Sequence, residues 1–382
     1  MASNMITSLV VTNFKALHQT IIPFEKNTFL IGINGSGKTT ILQAVDFISA
    51  VVTGKVEEWL DQRGWKKKEL TFYGSPRKLI EFDIDYQLDG ESFRWSFSFN
   101  RDLLKCTYER FVSNGRVLLT VKEGHFSSLN ETKEKINFQY VGSIVSVLKQ
   151  EILPQEIVDS KKFFSNIKSA ELLSPILMKK RARQAMGDVG LGGEKLSAFI
   201  SELPLEKRNE LLNEIKKFFP KVFSIETRSI KGGWKELAMY ENFDANKLKI
   251  ESRHLSDGFL RILAILSQLL TTESVLLFDE IEDGVNQELV KLLMQFIVNS
   301  PHQTIIATHS PLILNYLEDE MAKRSILFVY RCLDGSVRVI NFFDAVMKFQ
   351  KLSKQEMELF GPGEWMQSVD LVELSKLLAT QE

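Results

Sequence analysis

Apolar and polar positions change rhythm several times along the chain. Residues 6–11 and 20–24 are short runs rich in β-branched and apolar side chains, and each reads as a strand. Thr28-Phe29-Leu30-Ile31 is a third such run, and the two opening strands are expected beside it. From Thr40 the period becomes helical, with Ile41, Leu42, Val45, Ile48 and Val52 on one face and an end near Thr53. Between about Leu70 and Val121 it falls to two. Residues 80–86 and 93–99 alternate around Asp89-Gly90, and residues 107–112 and 117–121 flank Asn114-Gly115. Both dipeptides are hairpin signals, so the spacing predicts an inserted antiparallel β lobe. From about Val141 to Phe219 the pattern is mainly helical, with a glycine-rich loop at residues 188–193 and Pro204 between two amphipathic segments. Strands and helices alternate again after residue 225. Short strands precede His254, a helix runs from Asp257 to Leu270, and an apolar strand covers residues 275–278. A helix at 287–299, a strand at 304–308 and final strands at 325–330 and 337–341 follow. The tail from Phe342 reads as helical, broken at Gly361-Pro362-Gly363. No heptad run is long enough for a coiled-coil arm, and there is no internal repeat.

One stretch organises the rest: Gly32-Ile33-Asn34-Gly35-Ser36-Gly37-Lys38-Thr39 fits G-x-x-x-x-G-K-[ST] at every constrained position. It stands between a strand and a helix, the context that a phosphate-binding loop requires. Glycines let the backbone turn and bring N–H groups to an anion, and the helix dipole adds to the attraction. Asn34, Gly35, Ser36, Gly37, Lys38, Thr39 and Thr40 are the candidate triphosphate contacts. Lys38 would reach the terminal phosphates, and Thr39 would sit on Mg²⁺.

Hydrolysis needs more than a loop. The apolar strand 275–278 ends in Asp279-Glu280. Asp279 is placed to hold the metal, and Glu280 to polarise a water as general base. His309 follows the next strand, in Thr308-His309-Ser310-Pro311, and could sense the terminal phosphate. Ser256 is a good N-cap for the helix that begins at Asp257, and Gly258 would leave its N-terminus bare for an anion. Lys179-Lys180-Arg181-Ala182-Arg183 and Lys66-Lys67-Lys68 are basic runs; each is either a solvated face or a contact with a phosphate backbone.

Composition narrows the field. A 44% hydrophobic, 25% charged chain of 382 residues can bury a sizeable core. A net charge of −1 gives no global basic field, so nucleic-acid contact would have to come from a local patch. No apolar run approaches a membrane span, and Met1 to Val11 lacks the charged-then-apolar layout expected of a signal peptide. With only Cys106 and Cys332, lacking metal spacing, a reducing, cytoplasmic setting is expected.

Phosphate loop, Leu255-Ser256-Asp257-Gly258, apolar-Asp279-Glu280 and Thr308-His309-Ser310-Pro311, in that order, resemble the ATP-binding-cassette class of ATPases. Within it the chain resembles the SMC/RecF/OLD-like branch. Leu9-Val10-Val11-Thr12-Asn13-Phe14-Lys15, residues 278–284, and Leu172-Leu173-Ser174-Pro175 with the later Gly-Leu-Gly-Gly loop carry that likeness. The resemblance implies an α/β P-loop head spanning residues 1–382, with a P-loop part (1–69), an antiparallel β lobe (70–125) and a mainly helical lobe (126–224). A signature, carboxylate and histidine part (225–341) and a helical tail (342–382) complete it. It also implies ATP and Mg²⁺ as ligands, and a homodimer or higher oligomer sandwiching ATP between heads. Ser256 and Gly258 would then reach the partner's nucleotide, with Asp283 at the interface. The signature departs from the Leu-Ser-Gly-Gly-Gln of transporters, which shifts weight away from transport. A metal-coupling glutamine is expected after the first helix, and Gln62 is the nearest candidate. The function implied is an ATPase acting on DNA or controlling a separate effector, such as a nuclease in antiviral defence. The alternatives are a DNA-repair or chromosome-maintenance ATPase, a transporter subunit, or a non-hydrolysing scaffold.

Overall fold

The computed structural model describes residues 4–129, 133–243, 246–271, 275–350 and 361–380. The chain forms two compact units, one of Met1–Ile167 with Glu318–Glu382, the other of Lys168–Leu317.

The first unit holds an eight-stranded antiparallel sheet. Its order is Thr20–Pro23, Met5–Thr12, Leu79–Leu88, Glu91–Asn100, Lys105–Ser113, Arg116–Lys122, His125–Ser128 and Glu134–Lys135. The two opening strands therefore do not lie beside the strand feeding the phosphate-type loop, as expected, but extend the β lobe. Leu9 pairs with Ile22 on one side and Ile84 on the other. Burial explains the difference. Met5–Thr12 is fully buried at only some positions, as suits a strand with one covered face, whereas Asn27–Ile31 is buried throughout. Asn27–Ile31 pairs parallel with Ile326–Arg331, which pairs antiparallel with Val337–Asn341. Both expected hairpins form: Asp89-Gly90 and Asn114-Gly115 all take positive φ, as two-residue I′ turns require.

Helix Lys38–Thr53 is the centre of this unit. It is buried nearly all round rather than along one stripe. Phe47 meets the rings of Phe14, Phe82, Phe99 and Trp59 at 5.1–6.0 Å, and truncating it to Ala would cost about 3–5 kcal/mol. Trp59 and Arg63 both donate to Asp46, at 2.6 and 2.7 Å. At the helix end, Ser143 N–H donates to the Val51 carbonyl. That connection is anchored in the sheet by Glu109, a buried acid that accepts from Ser143 Oγ and from Ile144 N–H.

In the second unit, Val275–Asp279 pairs parallel with Gln303–Ala307. Helix Asp257–Leu269 precedes the first of these strands, and Gln287–Val298 precedes the second. Val222–Ser229, Lys235–Phe243 and Asn246–Glu251 form an antiparallel sheet against which helices Leu196–Glu202 and Leu205–Phe218 pack. The expected helical stretch is interrupted by an irregular segment at 179–195, stapled where Leu172 and Ser174 N–H donate to Leu191 and Gly192 carbonyls. The basic run 179–183 is thus no helix face. Lys179 pairs with Asp257 at 2.9 Å, Arg181 with Glu236, and Arg183 lies over Trp234.

Candidate active site

The loop in the first unit is shaped by its glycines. A Cβ on Gly32 (φ 153°) would meet the Val329 carbonyl oxygen at 2.3 Å, and one on Gly37 (φ 112°) would meet Val337 Cγ2 at 2.5 Å. Gly35 (φ 75°) faces open space. Gly37 is the N-cap of Lys38–Thr53, so no side chain caps that helix, and its first turn carries no acid. Ser36 Oγ is buried without a hydrogen-bond partner. Lys38 is buried, with Nζ folded onto the Gly32 and Ile33 carbonyls at 2.9 and 3.1 Å. Asn34 is exposed, and Thr39 and Thr40 are half-buried at the start of the helix. Uncapped N–H groups, an orphaned hydroxyl and a lysine at one helix end fit a polyphosphate.

Beyond Thr40 the first unit has an open cleft of about 810 Å³, bordered by Lys15, Tyr73, Arg101 and Arg331. Tyr73 is 97% exposed. Lys15 Nζ donates to Gln43 Oε1 and lies 3.4 Å from the centroid of the Trp65 ring. The sequence drew attention to Lys15 only as part of the opening strand; that a cleft forms here depends on residues as far apart in the chain as Lys15 and Gly335. Gln62 lies exposed on helix Val56–Arg63.

In the second unit, Asp279 ends its strand and Glu280 takes φ 49°, turning the chain sharply while its N–H donates to the Ala307 carbonyl at 2.9 Å. Glu280 Oε1 comes within 3.8 Å of His309 Nε2, so these two expected site residues are brought together. Burial, then the charges of Asp283 and Asp279, push the Glu280 carboxyl above the ordinary range, which makes it a stronger proton acceptor. Glu282, not singled out by the sequence, accepts from the buried Thr308 hydroxyl at 2.6 Å. Burial also raises its carboxyl, opposed first by that hydroxyl and then by neighbouring main-chain N–H groups. Among the described residues no three carboxylate, imidazole or thiol groups form a ready-made ion site.

The helix Asp257–Leu269 starts as expected, with Phe259 N–H donating to Ser256 Oγ at 3.3 Å. Its N-terminus is capped rather than bare, and its first turn carries Asp257, held by Lys179. Gly258 is required by close approach: a Cβ there would lie 2.7 Å from the Gly284 carbonyl oxygen. That contact sets the signature helix against the end of the acidic turn.

Residues 28–315 match the AAA_21 family, described as "AAA domain, putative AbiEii toxin, Type IV TA system". A stretch of 72 residues is 38% identical to structural maintenance of chromosomes protein 1 of Arabidopsis thaliana, taking in 18% of this chain and only 5% of that protein's length. Among solved structures the chain is similar to an SmcHead bound to the C-winged helix domain of ScpA, at TM-score 0.52 and 20% identity over 90% of this chain and 99% of that one. It is similar also to the Smc head domain of Pyrococcus furiosus with an extended coiled coil, bound to the C-terminal domain of ScpA (TM-score 0.51, 17% identity, 91% and 99%). A third likeness is to the Smc head domain of Pyrococcus yayanosii with a coiled coil and joint (0.51, 13%, 88% and 97%). At these identities the structural likeness is one of fold.

Proposed function

Because the chain belongs to the AAA_21 family and folds as an SMC-like α/β ATPase head, we propose that it hydrolyses ATP and uses ATP-dependent pairing of two copies as a switch. The observation that carries this reading is the uncapped helix Lys38–Thr53 behind a glycine loop with an orphaned Ser36 hydroxyl. Main-chain N–H groups of residues 34–40 hold the triphosphate, with Lys38 neutralising it. The cleft beyond Thr40 takes the nucleoside end, with Tyr73 as an aromatic surface for the base. Thr39 and Asp279 would hold Mg²⁺, which would supply charge neutralisation on the phosphates. Glu280 takes the proton of the attacking water, and His309 orients that carboxylate and senses the terminal phosphate. Ser256 and Gly258 present the signature helix to the nucleotide of a second copy.

Closure then changes the surface offered to a partner. Pairing of Lys179 with Asp257 and of Arg181 with Glu236 spends two of the cations that a DNA-binding strip would need. This favours control of a separate effector, such as a toxin or a nuclease in antiviral defence, over direct work on DNA. The SMC likeness favours the second reading, a chromosome-maintenance or repair ATPase. DNA affinity that falls steeply with salt would support it.

Solution size and turnover test the switch. Wild type should hydrolyse ATP, and Glu280→Gln should accumulate an ATP-dependent dimer that Lys38→Ala never forms. Identical sizes with and without ATP in both variants would overturn the pairing.

A further inference from the structure

Two turns in the second unit are stapled together twice. The main-chain staple is Glu280 N–H donating to the Ala307 carbonyl at 2.9 Å. The side-chain staple is Thr308 Oγ1 donating to Glu282 Oε1 at 2.6 Å. The same hydroxyl accepts from Ser310 N–H at 2.9 Å. Thr308 and Ser310, one residue to either side of His309, are thus tied to a single acid. Between the two staples the Glu280 carboxyl and the His309 imidazole face each other at 3.8 Å.

We propose that Glu282 is a positioning residue that fixes His309 against Glu280 through the Thr308 hydroxyl. This rests on the hydrolytic reading above. Thr308 is fully buried, so its hydroxyl needs an acceptor inside the protein. A carboxylate gives the strongest such bond and so the narrowest range of turn positions. The acid is costly to keep there: its second oxygen, Oε2, is buried without a hydrogen-bond partner. An apolar residue would fill the same space without that cost, but it could not hold the hydroxyl or, through it, the turn that carries the imidazole.

Turnover of Glu282→Ala should fall by about 10²-fold, the effect of misplacing a reacting group by an ångström, while ATP affinity stays at the wild-type level. Thr308→Val should reproduce the loss, and Glu282→Gln, which keeps an acceptor oxygen at the same reach, should recover most of it. The decisive comparison is Glu282→Ala combined with His309→Ala. If Glu282 acts through His309, the double variant is no slower than His309→Ala alone. The His309 imidazole NMR signal, identified by its loss in His309→Ala, should also shift in Glu282→Ala and return in Glu282→Gln. Multiplicative losses in the double variant, full activity in Glu282→Ala and Thr308→Val, or an unmoved imidazole signal would overturn the proposal. Should Glu282→Ala not fold, Thr308→Val and Glu282→Gln carry the same readings. Full turnover in Glu280→Gln would instead sink the hydrolytic reading, and the imidazole signal would still report on the positioning.

Discussion

The phosphate-type loop of the first unit and the acidic turn of the second are made of opposite materials. Residues 32–39 work through the main chain. Glycines admit φ values of 75–153°, N–H groups stay uncapped, and the one charged side chain, Lys38, lies folded over its own carbonyls. Residues 279–283 work through side chains. Four carboxylates lie within five residues, one at a non-glycine φ of 49° and one bonded to a buried threonine. An anion site built from backbone is set by conformation, so spacing alone reveals it. A carboxylate site is set by the surroundings of each acid, so adjacent residues of like chemistry can hold unlike roles.

The sharpest way to break this comparison is to exchange chemistry for conformation in each region. Glu280→Gln keeps shape and removes the proposed base, so turnover should drop by about 10²–10⁴-fold with ATP binding intact. Loss of binding in that variant would mean that the turn, too, acts by conformation. In the loop the reverse should hold. Gly32→Ala adds only a methyl, yet meets the Val329 carbonyl at 2.3 Å. It should cost about 3 kcal/mol or more in a denaturant titration. Gly35→Ala, which meets nothing within 4 Å, should cost only the left-handed backbone term of about 1–2 kcal/mol.

Glu109 separates burial from phosphate chemistry, because it is a buried acid in the β sheet. Burial raises its carboxyl to about 7, against the bonds from Ser143 and Ile144. Its folded value thus exceeds the unfolded one. As pH rises through the window from about 4.5 to 7 the unfolded chain gives up a proton that the native protein keeps, and stability falls. The loss should be on the order of 3 kcal/mol. Glu109→Gln should flatten that slope in melts recorded across the window. The smallest effect is at Glu280 itself. Glu280→Gly and Glu280→Ala should be equally inactive, with the glycine variant more stable by about 1 kcal/mol because it relieves the positive φ.

The loop, the helix behind it, both hairpins and the order of the later strands were legible because each rests on local physics: glycine at a tight turn, period two beside Asn-Gly or Asp-Gly, an apolar strand before acids. The Ser256 cap was legible for the same reason, and the bond to Phe259 N–H is there. Less legible was which strands share a sheet. Residues 6–11 and 27–31 look alike as short apolar runs, yet only pairing with distant partners separates a half-covered antiparallel strand from a wholly buried parallel one. The same limit hid the reach of helix Lys38–Thr53, whose second face is covered by Phe14, Phe82 and Phe99 from three separate parts of the chain. It hid the fate of the basic run, whose charges meet Asp257 and Glu236 more than fifty residues away. By itself, then, the sequence determined the chemistry on offer and the local turns that present it, since these depend on residues within a few positions of one another. Which acid of Asp279-Glu280-Ile281-Glu282-Asp283 faces the imidazole and which accepts from the Thr308 hydroxyl was decided only by tertiary packing, because burial and hydrogen-bond partners come from strands that the sequence keeps apart.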